Sequence, residues 1–407
     1  MNSRRSNRWS VFWTTLCLSF FFVSAPAPSN AETAEEQLVS ANTGFGFRLL
    51  KELAREQARA NIFISPYSVS SVLQMVGNGA RGQTQQELQQ VLGTIALSTE
   101  SMNSAYAALN QSIGSAQSNL VLNIANAIWY RRGAQLSDGF SAANEKYYHA
   151  ELAGLDFSDP ASVQRMNQWA ADNTQGRIDS IIQPPIPPET ALVLANAIYF
   201  KGTWLNQFDP KQTRQRTFHL AGGGDPQVPM MEQTRAFSYQ TGPGFQAVQL
   251  FYTGKRLEME ILLPETNSTL EALLGQVDEQ SWQNALLPGF REHKGTLVLP
   301  RLKFRYGAEL KKPLATLGLK SALTPAADFS AMSASRLFLS EVKHQSFVEV
   351  NEQGTEAAAV TTGVVALASL RNPPQPFQMV VDRPFLFLIS DQVTKSILFM
   401  GLVFDPR

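Results

Sequence analysis

The sequence has very few of the residues that crosslink a fold or bind a metal ion. It contains one cysteine, Cys17, and four histidines among 407 residues. A single cysteine forms no internal disulfide, and the histidines do not fall at the short spacings that metal sites use. We therefore predict no disulfide framework, no metal site and no cofactor.

An excess of charge and long hydrophobic runs are also missing. The chain carries 34 basic and 34 acidic residues, so its formal net charge is zero at pH 7. Domains that bind nucleic acid carry a clear basic excess, and a membrane span needs roughly 20 apolar residues in succession. We therefore expect no nucleic-acid partner, and no membrane span beyond the first 31 residues.

Those first 31 residues have the pattern of a secretion signal. Arg4, Arg5 and Arg8 form a basic start, an apolar run extends from Val11 to Val23, and Ser29-Asn30-Ala31 supplies small residues for cleavage. A single membrane anchor is the alternative, but the run is short for a span and its flanks fit cleavage better. We expect a signal peptide over 1–31 and a secreted protein, extracellular or periplasmic, with a single domain over 32–407.

Removal of this leader changes the chemistry of what remains. Three of the 34 basic residues lie in it, which leaves 31 basic against 34 acidic residues and a net charge of −3. Cys17 is removed as well, so the mature protein has no thiol nucleophile. A chain of this length can bury a large core without disulfides.

The hydrophobic pattern changes along the chain from helical to strand-like. Ser65-Pro66 predicts the start of a helix, and the spacing of Thr84 and Glu87 predicts a capping box at the start of another helix, which Gly93 ends. Later, Leu192 to Phe200 is apolar on both faces and predicts a buried central strand. Helices early and strands late, with no dividing linker, predict one large α+β domain.

No motif in the chain predicts catalysis. Gly77 to Gly82 has the glycine spacing of a dinucleotide-binding loop, but it follows a predicted helix instead of a strand. We find no paired carboxylates and no nucleophile motif at a spacing typical of an active site. We therefore predict that the protein is not an enzyme.

The most unusual segment runs from Glu352 to Leu370. From Ala357 to Leu370 it has no charged residue, and nearly all of its residues are small or β-branched. Connecting loops are normally polar, whereas this composition is typical of a strand buried on both faces. Prolines then end it at Pro373, Pro374 and Pro376, as suits an exposed loop. The pattern indicates a segment with two structural states, an exposed loop and a strand.

Six segments carry long strings in a shared order: Asn61 to Ser68, Ala195 to Trp204, Asp328 to Ser330, Phe347 to Ala359, Asp382 to Phe387 and Leu398 to Gly401. Together they resemble the serpin family over essentially the whole mature chain. The resemblance implies an α+β fold with three β-sheets, about nine helices and an exposed reactive-centre loop at about 352–376. It also implies a suicide mechanism, in which a serine protease cleaves the loop and is trapped as its acyl ester while the loop inserts into the main sheet.

The resemblance assigns roles to particular residues. The reactive bond is placed between Ala368 and Ser369, with cleavage after Leu367, Leu370 or Arg371 as alternatives because the loop is longer than usual. Further groups are a hinge where the loop begins, a region called the shutter beneath the opening sheet, and a region called the breach where the loop first enters. The hinge comprises Glu352, Gly354, Thr355, Glu356, Ala357, Ala358 and Ala359; the shutter Ser65, Ser68, Asn196 and His344; the breach Trp204, Arg301 and Glu352, with an ion pair between Arg301 and Glu352.

The loop composition favours an inhibitor. By the two-residue period of a strand, alternate residues from Thr355 to Val365 share the face expected to enter the protein, and all are uncharged. A small residue at Ala368 favours an elastase-like target, Leu367 or Leu370 a chymotrypsin-like one, and Arg371 a trypsin-like one. We expect a monomer. The alternative is a non-inhibitory serpin that acts as a chaperone or carrier.

Overall fold

The computed structural model describes residues 32–114, 120–355 and 375–407. From Thr33 onward they form one compact unit. The helices are α1 (Ala34–Glu56), α2 (Pro66–Gly77), α3 (Gly82–Leu92), α4 (Thr99–Gly114), α5 (Asp138–Tyr148), α6 (Pro160–Asn173), α7 (Leu270–Gln276), α8 (Glu279–Ser281), α9 (Leu287–Gly289) and α10 (Lys311–Leu317).

The strands follow the predicted bias towards the later part of the chain. They are β1 (Ile62–Ile64), β2 (Leu120–Arg131), β3 (Glu151–Leu155), β4 (Leu192–Thr203), β5 (Arg214–Thr217), β6 (Gln227–Gly242), β7 (Phe245–Phe251), β8 (Leu257–Pro264), β9 (Arg291–Pro300), β10 (Leu302–Glu309), β11 (Leu339–Asn351), β12 (Gly354–Thr355), β13 (Phe377–Val380), β14 (Phe385–Asp391) and β15 (Ile397–Val403). The α+β class is confirmed.

The smaller sheet has six strands in the order β10-β11-β12-β4-β2-β3. The predicted central strand is confirmed as β4, whose residues from Leu192 to Phe200 are all buried. Helix α2 packs against β4 on one face, and α6 packs on the other against a hydrophobic cluster that includes Trp129 and Val193. This burial on both faces explains why the strand sequence does not alternate.

The larger sheet has nine strands, and it joins two of the three sheets that the resemblance implies. Its path is β1-β15-β14-β8-β7-β6-β9-β13, with β5 paired to β6. The 16-residue β6 pairs with β9 from Met230 to Tyr239 and with β7 from Ser238 to Gly242. Because one long strand serves both parts, the third sheet is not separate among the described residues.

Two of the predicted helix starts have different outcomes. The Ser65 side chain caps α2 by accepting a hydrogen bond from the Ser68 N–H, with Pro66 at the first helical position, as predicted. The predicted capping box at Thr84 is wrong, because α3 already begins at Gly82. Thr84 instead accepts from the N–H of Asp328, and Glu87 accepts from the backbone of Lys320 and Ser321. Long-range contacts therefore use side chains that the local pattern assigned to a cap.

Among the described helices, none is long and apolar enough to cross a bilayer.

Candidate functional site

The centre of the predicted mechanism is the boundary between β4 and β11, which we call the seam. The two strands pair in parallel from Leu192 and Leu339 up to Ile198 and Ser346. Beyond that point β12 lies between them: Thr355 is opposite Gly202 of β4 and Val350 of β11. The seam therefore has a closed end, where β4 and β11 touch, and a fork, where a third strand separates them.

The fork holds the first part of the predicted hinge inside the sheet. Gly354 has φ of 149°, and a Cβ atom there would overlap the carbonyl oxygen of Gly202, so only glycine fits. The Trp204 N–H donates to the Gln353 carbonyl at 2.8 Å, and its indole N–H donates to the Asn351 carbonyl at 3.0 Å. Trp204 thereby fixes the backbone on both sides of Glu352.

Thr355 is buried at the fork, with 1% of its surface exposed. Its hydroxyl lies 2.8 Å from the hydroxyl of Tyr252, whose ring stacks on Trp204 at 4.6 Å between centroids. Burial raises the pKa of Tyr252, which keeps the phenol neutral. The surroundings of Thr355 are therefore buried and present a neutral hydroxyl, and they suit a small polar side chain.

An ion pair closes the breach beside this pocket, as the resemblance implied. Arg301 approaches Glu352 with its Nε at 2.8 Å and its Nη2 at 2.7 Å from Oε1, and Thr213 donates its hydroxyl to the same carboxylate. Burial acts to raise the pKa of Glu352, but hydrogen bonds from Arg301 and Thr213 outweigh it and leave the pKa lowered. The carboxylate is thus held ionised at the base of the hinge.

The four predicted shutter residues lie together at the closed end. His344 of β11 and Asn196 of β4 are joined across the seam by a bond of 2.9 Å between Nδ1 and Oδ1. The Nε2 atom of His344 accepts from the Ser65 N–H at 3.2 Å, which leaves Nδ1 as the donor to Asn196. Asn196 in turn donates to Ser68 and, at 2.8 Å, to Asn126.

Burial shifts the protonation of this cluster. His344 is 1% exposed, and desolvation lowers its pKa to about 3. A neutral imidazole can keep one acceptor and one donor nitrogen, as its two partners require. Separation of β4 from β11 would break the His344–Asn196 bond and would need a replacement partner for each group.

The remaining predicted loop residues lie outside the described residues. These are Glu356, Ala357, Ala358 and Ala359 of the hinge, Ala368 and Ser369 of the reactive bond, and the alternatives Leu367, Leu370 and Arg371. The roles assigned to all site residues stay predictions. The structure adds that Gly354 and Thr355 lie within the sheet and that Glu352 lies in the turn before them.

Several residues of the site were not found from the sequence. Tyr252, Thr213 and Asn126 complete the fork and the closed end through side-chain contacts. Each is distant in sequence from its partner, and no local spacing marks it. Within the described residues, no group of three or more acidic, histidine or cysteine side chains is placed to bind a metal ion.

Comparison with known proteins agrees with this geometry. A family model described as Serpin (serine protease inhibitor) matches residues 40–406. Iripin-2 of Ixodes ricinus is 39% identical over 375 residues, which cover 91% of this chain and 94% of that protein. The leukocyte elastase inhibitor of Sus scrofa is 34% identical over 382 residues, covering 91% of this chain and 100% of that protein.

Solved structures show the same fold. Human thyroxine-binding globulin, in complex with its ligand, superposes with a TM-score of 0.84 at 28% identity, over 92% of this chain and 100% of the other. The thermophilic serpin tengpin in its native state gives 0.83 at 26% identity, over 93% and 96%. From the family match, the full-length relatives and the shared fold, we conclude that the chain belongs to the serpin family.

Proposed function

We propose that the protein inhibits serine proteases as a suicide substrate, by inserting its cleaved loop into the seam. The observation that carries the proposal is β12: two residues of the predicted hinge already occupy the position of an added strand. The first step of insertion therefore needs no rearrangement of the fork, and the remaining loop only has to continue in the same direction.

The register at the fork gives the partners of each entering residue. Thr355 is opposite Gly202 and Val350, so an antiparallel strand that continued without a bulge would bring position 361 opposite Asn196 and His344. Thr361 could then exchange hydrogen bonds with the two groups that its entry separates. Positions 357, 359, 363 and 365 would share its face, and none carries a charge that burial would leave unpaired.

The free energy of such an insertion is large. A strand of roughly a dozen residues would form hydrogen-bonded ladders on both sides, at about 0.5–1.5 kcal/mol net per backbone bond. The sum is on the order of 10 kcal/mol, comparable with the stability of an ordinary domain. That free energy is available to displace and distort an attached protease.

The chemical step belongs to the protease. Its serine oxygen attacks the carbonyl carbon of the residue before the cut, the peptide C–N bond breaks, and the new amine leaves with a proton from the protease histidine. An ester then links the two proteins, and insertion must be faster than attack by water on that ester. We propose Ala368–Ser369 as the bond, with an elastase-like target, and Leu367, Leu370 or Arg371 as alternative cleavage positions.

Incubation with pancreatic elastase tests the proposal. We expect a complex of the summed mass that survives denaturing electrophoresis, and elastase with a blocked active serine should form none. Mass spectrometry of the released C-terminal peptide identifies the cleaved bond. Cleavage of the loop by elastase, chymotrypsin and trypsin without any trapped enzyme would contradict the proposal.

That outcome would instead favour a carrier. Thyroxine-binding globulin, whose name says that it binds thyroxine, shares the fold over 92% of this chain. A carrier would give the same rate of loop cleavage but free, active protease, and it would bind a ligand without any protease present.

We also propose that the protein is secreted after cleavage behind Ala31. The basic start, the short apolar run and the small residues before Glu32 support this. N-terminal sequencing of protein from the periplasm and the medium should begin at Glu32. Recovery of the intact leader in the cytoplasm would contradict it.

A further inference from the structure

A short segment after α6 lies across the seam on the outer face of the sheet. This segment, residues 174–182, is called the strap here. Its isoleucines Ile178, Ile181 and Ile182 belong to the hydrophobic cluster that α6 forms with β2 and β4. Asn167 of α6 accepts from the N–H groups of Ile181 and Ile182 at 2.8 and 2.9 Å. The strap is therefore rooted on the β2–β4 side of the seam.

One strap residue contacts both strands at the seam. Burial raises the pKa of Tyr199 of β4, and the side chain of Arg177 beside it acts to lower that pKa. Its guanidinium also lies over the ring of Phe347 of β11, 5.5 Å from the centroid. Tyr199 and Phe347 are 1% and 5% exposed although they are on the outer face, in keeping with cover from the strap. Asp179 adds an exposed ion pair of 3.0 Å to Arg305 of β10.

The position of this contact is the apex of the fork. Ile198 and Ser346 are the last residues at which β4 and β11 pair directly, and Tyr199 and Phe347 are the next residue on each strand. Continued from Thr355 in the register of β12, an entering strand would bring position 358 between Tyr199 and Phe347. Arg177 therefore contacts both strands one residue beyond their last direct pair, where further insertion must widen the gap between them.

We propose that Arg177 is a positioning residue that holds the fork closed at this point and limits the rate at which the loop enters the seam. The inference rests on the proposed function, since it concerns the same insertion. Neighbouring strands lie about 4.8 Å apart, so a strand inserted between β4 and β11 would set the backbones at Tyr199 and Phe347 roughly 10 Å apart. The strap is rooted on the β2–β4 side, so movement of β11 away from β4 draws Phe347 away from the guanidinium and weakens that contact.

The two contacts differ from ordinary surface pairs. The guanidinium meets a buried tyrosine hydroxyl and an aromatic ring, and neither contact depends on an opposite charge. The Asp179–Arg305 pair is more exposed, with side-chain exposures of 69% and 53%, and such pairs contribute little. We therefore assign the main effect to Arg177 and a smaller one to Asp179.

Uptake of a synthetic peptide tests this without a protease. The peptide has the sequence of residues 356–367, and its incorporation into the intact protein is followed by native electrophoresis. Loss of the contacts to Tyr199 and Phe347 in Arg177→Met should speed uptake on the order of ten-fold. Arg177→Lys keeps the charge but lacks the planar guanidinium, so it should give an intermediate rate. Asp179→Asn should increase the rate only about two- to three-fold, because exposed ion pairs contribute little.

The matched control is Arg165→Met, on α6, because Arg165 pairs with Glu151 of β3 at 3.2 Å and does not touch the seam. Its uptake rate should equal that of the parent protein. An unchanged or slower rate in Arg177→Met overturns the proposal, as does an equal acceleration in Arg165→Met, which would point to a general loosening of α6. If Arg177→Met does not fold, an unchanged rate in both Arg177→Lys and Asp179→Asn overturns it.

The outcomes also separate this inference from the proposed function. Uptake by the parent protein that is insensitive to Arg177 would leave insertion intact and remove the strap from it. A parent protein that takes up no peptide, and whose loop cleavage traps no elastase, would overturn both.

Discussion

The two ends of the seam hold the same two strands in different ways. At the closed end, β4 and β11 are direct neighbours, joined by a neutral histidine and an asparagine that are both buried. At the fork, β12 lies between them, and an ion pair, a stacked tryptophan and a tyrosine hydroxyl surround it. One sheet therefore contains both the arrangement before strand entry and the arrangement after it.

This difference indicates where insertion is opposed. At the fork, β4 and β11 already pair with β12, so a third strand is in place there as far as Thr355. The closed end would lose the bond between His344 and Asn196 before a new strand could replace it. Resistance to insertion is therefore expected between the apex of the fork and the shutter, and support for the hinge is expected at the fork.

The largest expected effect comes from a charge at the fork, in Thr355→Arg. An unpaired guanidinium in the pocket beside Tyr252 costs several kcal/mol, so the arginine should leave the sheet and stall insertion. We expect the variant to be cleaved as a substrate with almost no trapped protease, measured as the ratio of inhibitor consumed to enzyme inactivated. Thr355→Ser is the matched control and should trap normally. Trapping by Thr355→Arg at the parent ratio would remove the fork from the mechanism.

The closed end should respond to acid. Because burial lowers the pKa of His344 to about 3, the unfolded chain binds a proton below about pH 6.5 that the folded protein does not. Stability should therefore decrease as the pH falls from about 6.5 towards 3, by up to roughly 1.4 kcal/mol per pH unit from this residue. Denaturant unfolding of the parent protein and of His344→Gln at several pH values measures it. Equal slopes in the two proteins between pH 6 and 4 would show that His344 is not the group responsible.

A methyl group should disturb the fork by its volume alone. In Gly354→Ala the new Cβ would meet the carbonyl oxygen of Gly202 at a backbone φ that alanine rarely adopts. We expect a loss of about 1–3 kcal/mol of stability or release of β12 from the sheet, seen as altered fluorescence of Trp204. Gly77→Ala in α2 is the control, since its Cβ would have open space, and it should be neutral or stabilising. Similar behaviour of the two variants would contradict the tight fit at the fork.

The smallest expected effect is at the breach. Arg301→Met leaves the buried carboxylate of Glu352 with Thr213 but without its cation, and we expect a loss of about 1–2 kcal/mol because Arg301 is itself half-exposed. The comparison is Lys303→Met, whose partner Glu349 is more exposed and whose loss should cost less than about 1 kcal/mol. Urea unfolding of both variants gives the difference, and equal losses would mean that burial of Glu352 contributes nothing.

The sequence predicted those parts of the site that a contiguous run of residues or a family motif defines. The buried run from Leu192 to Phe200 marked a central strand, and the pair of Arg301 with Glu352 followed from the family resemblance. It did not predict that Gly354 and Thr355 already lie in the sheet, because that depends on the width of the fork between two distant strands. Tyr252 was not predicted for the same reason, because no sequence pattern near it indicates a contact with Thr355.

The sequence was least informative where one side chain had two plausible uses. Thr84 and Glu87 have the spacing of a cap, yet both serve contacts to residues more than 230 positions away. The third sheet was expected as a separate unit, but the length of β6 joins it to its neighbour. In the first case tertiary contacts use side chains whose spacing indicated a cap. In the second, one continuous strand joins two sheets that the resemblance implied as separate.

The most direct measurement compares the thermal unfolding of the intact protein with that of the protein cut once within residues 356–374 by a protease that is not trapped. If the intact form is less stable than the form with the loop inserted, the cut form should melt at least about 10 °C higher. This is the shift expected for roughly 10 kcal/mol in a chain of this size. Equal melting temperatures, with the cut at the expected bond confirmed by mass spectrometry, would contradict the insertion of the loop into the seam.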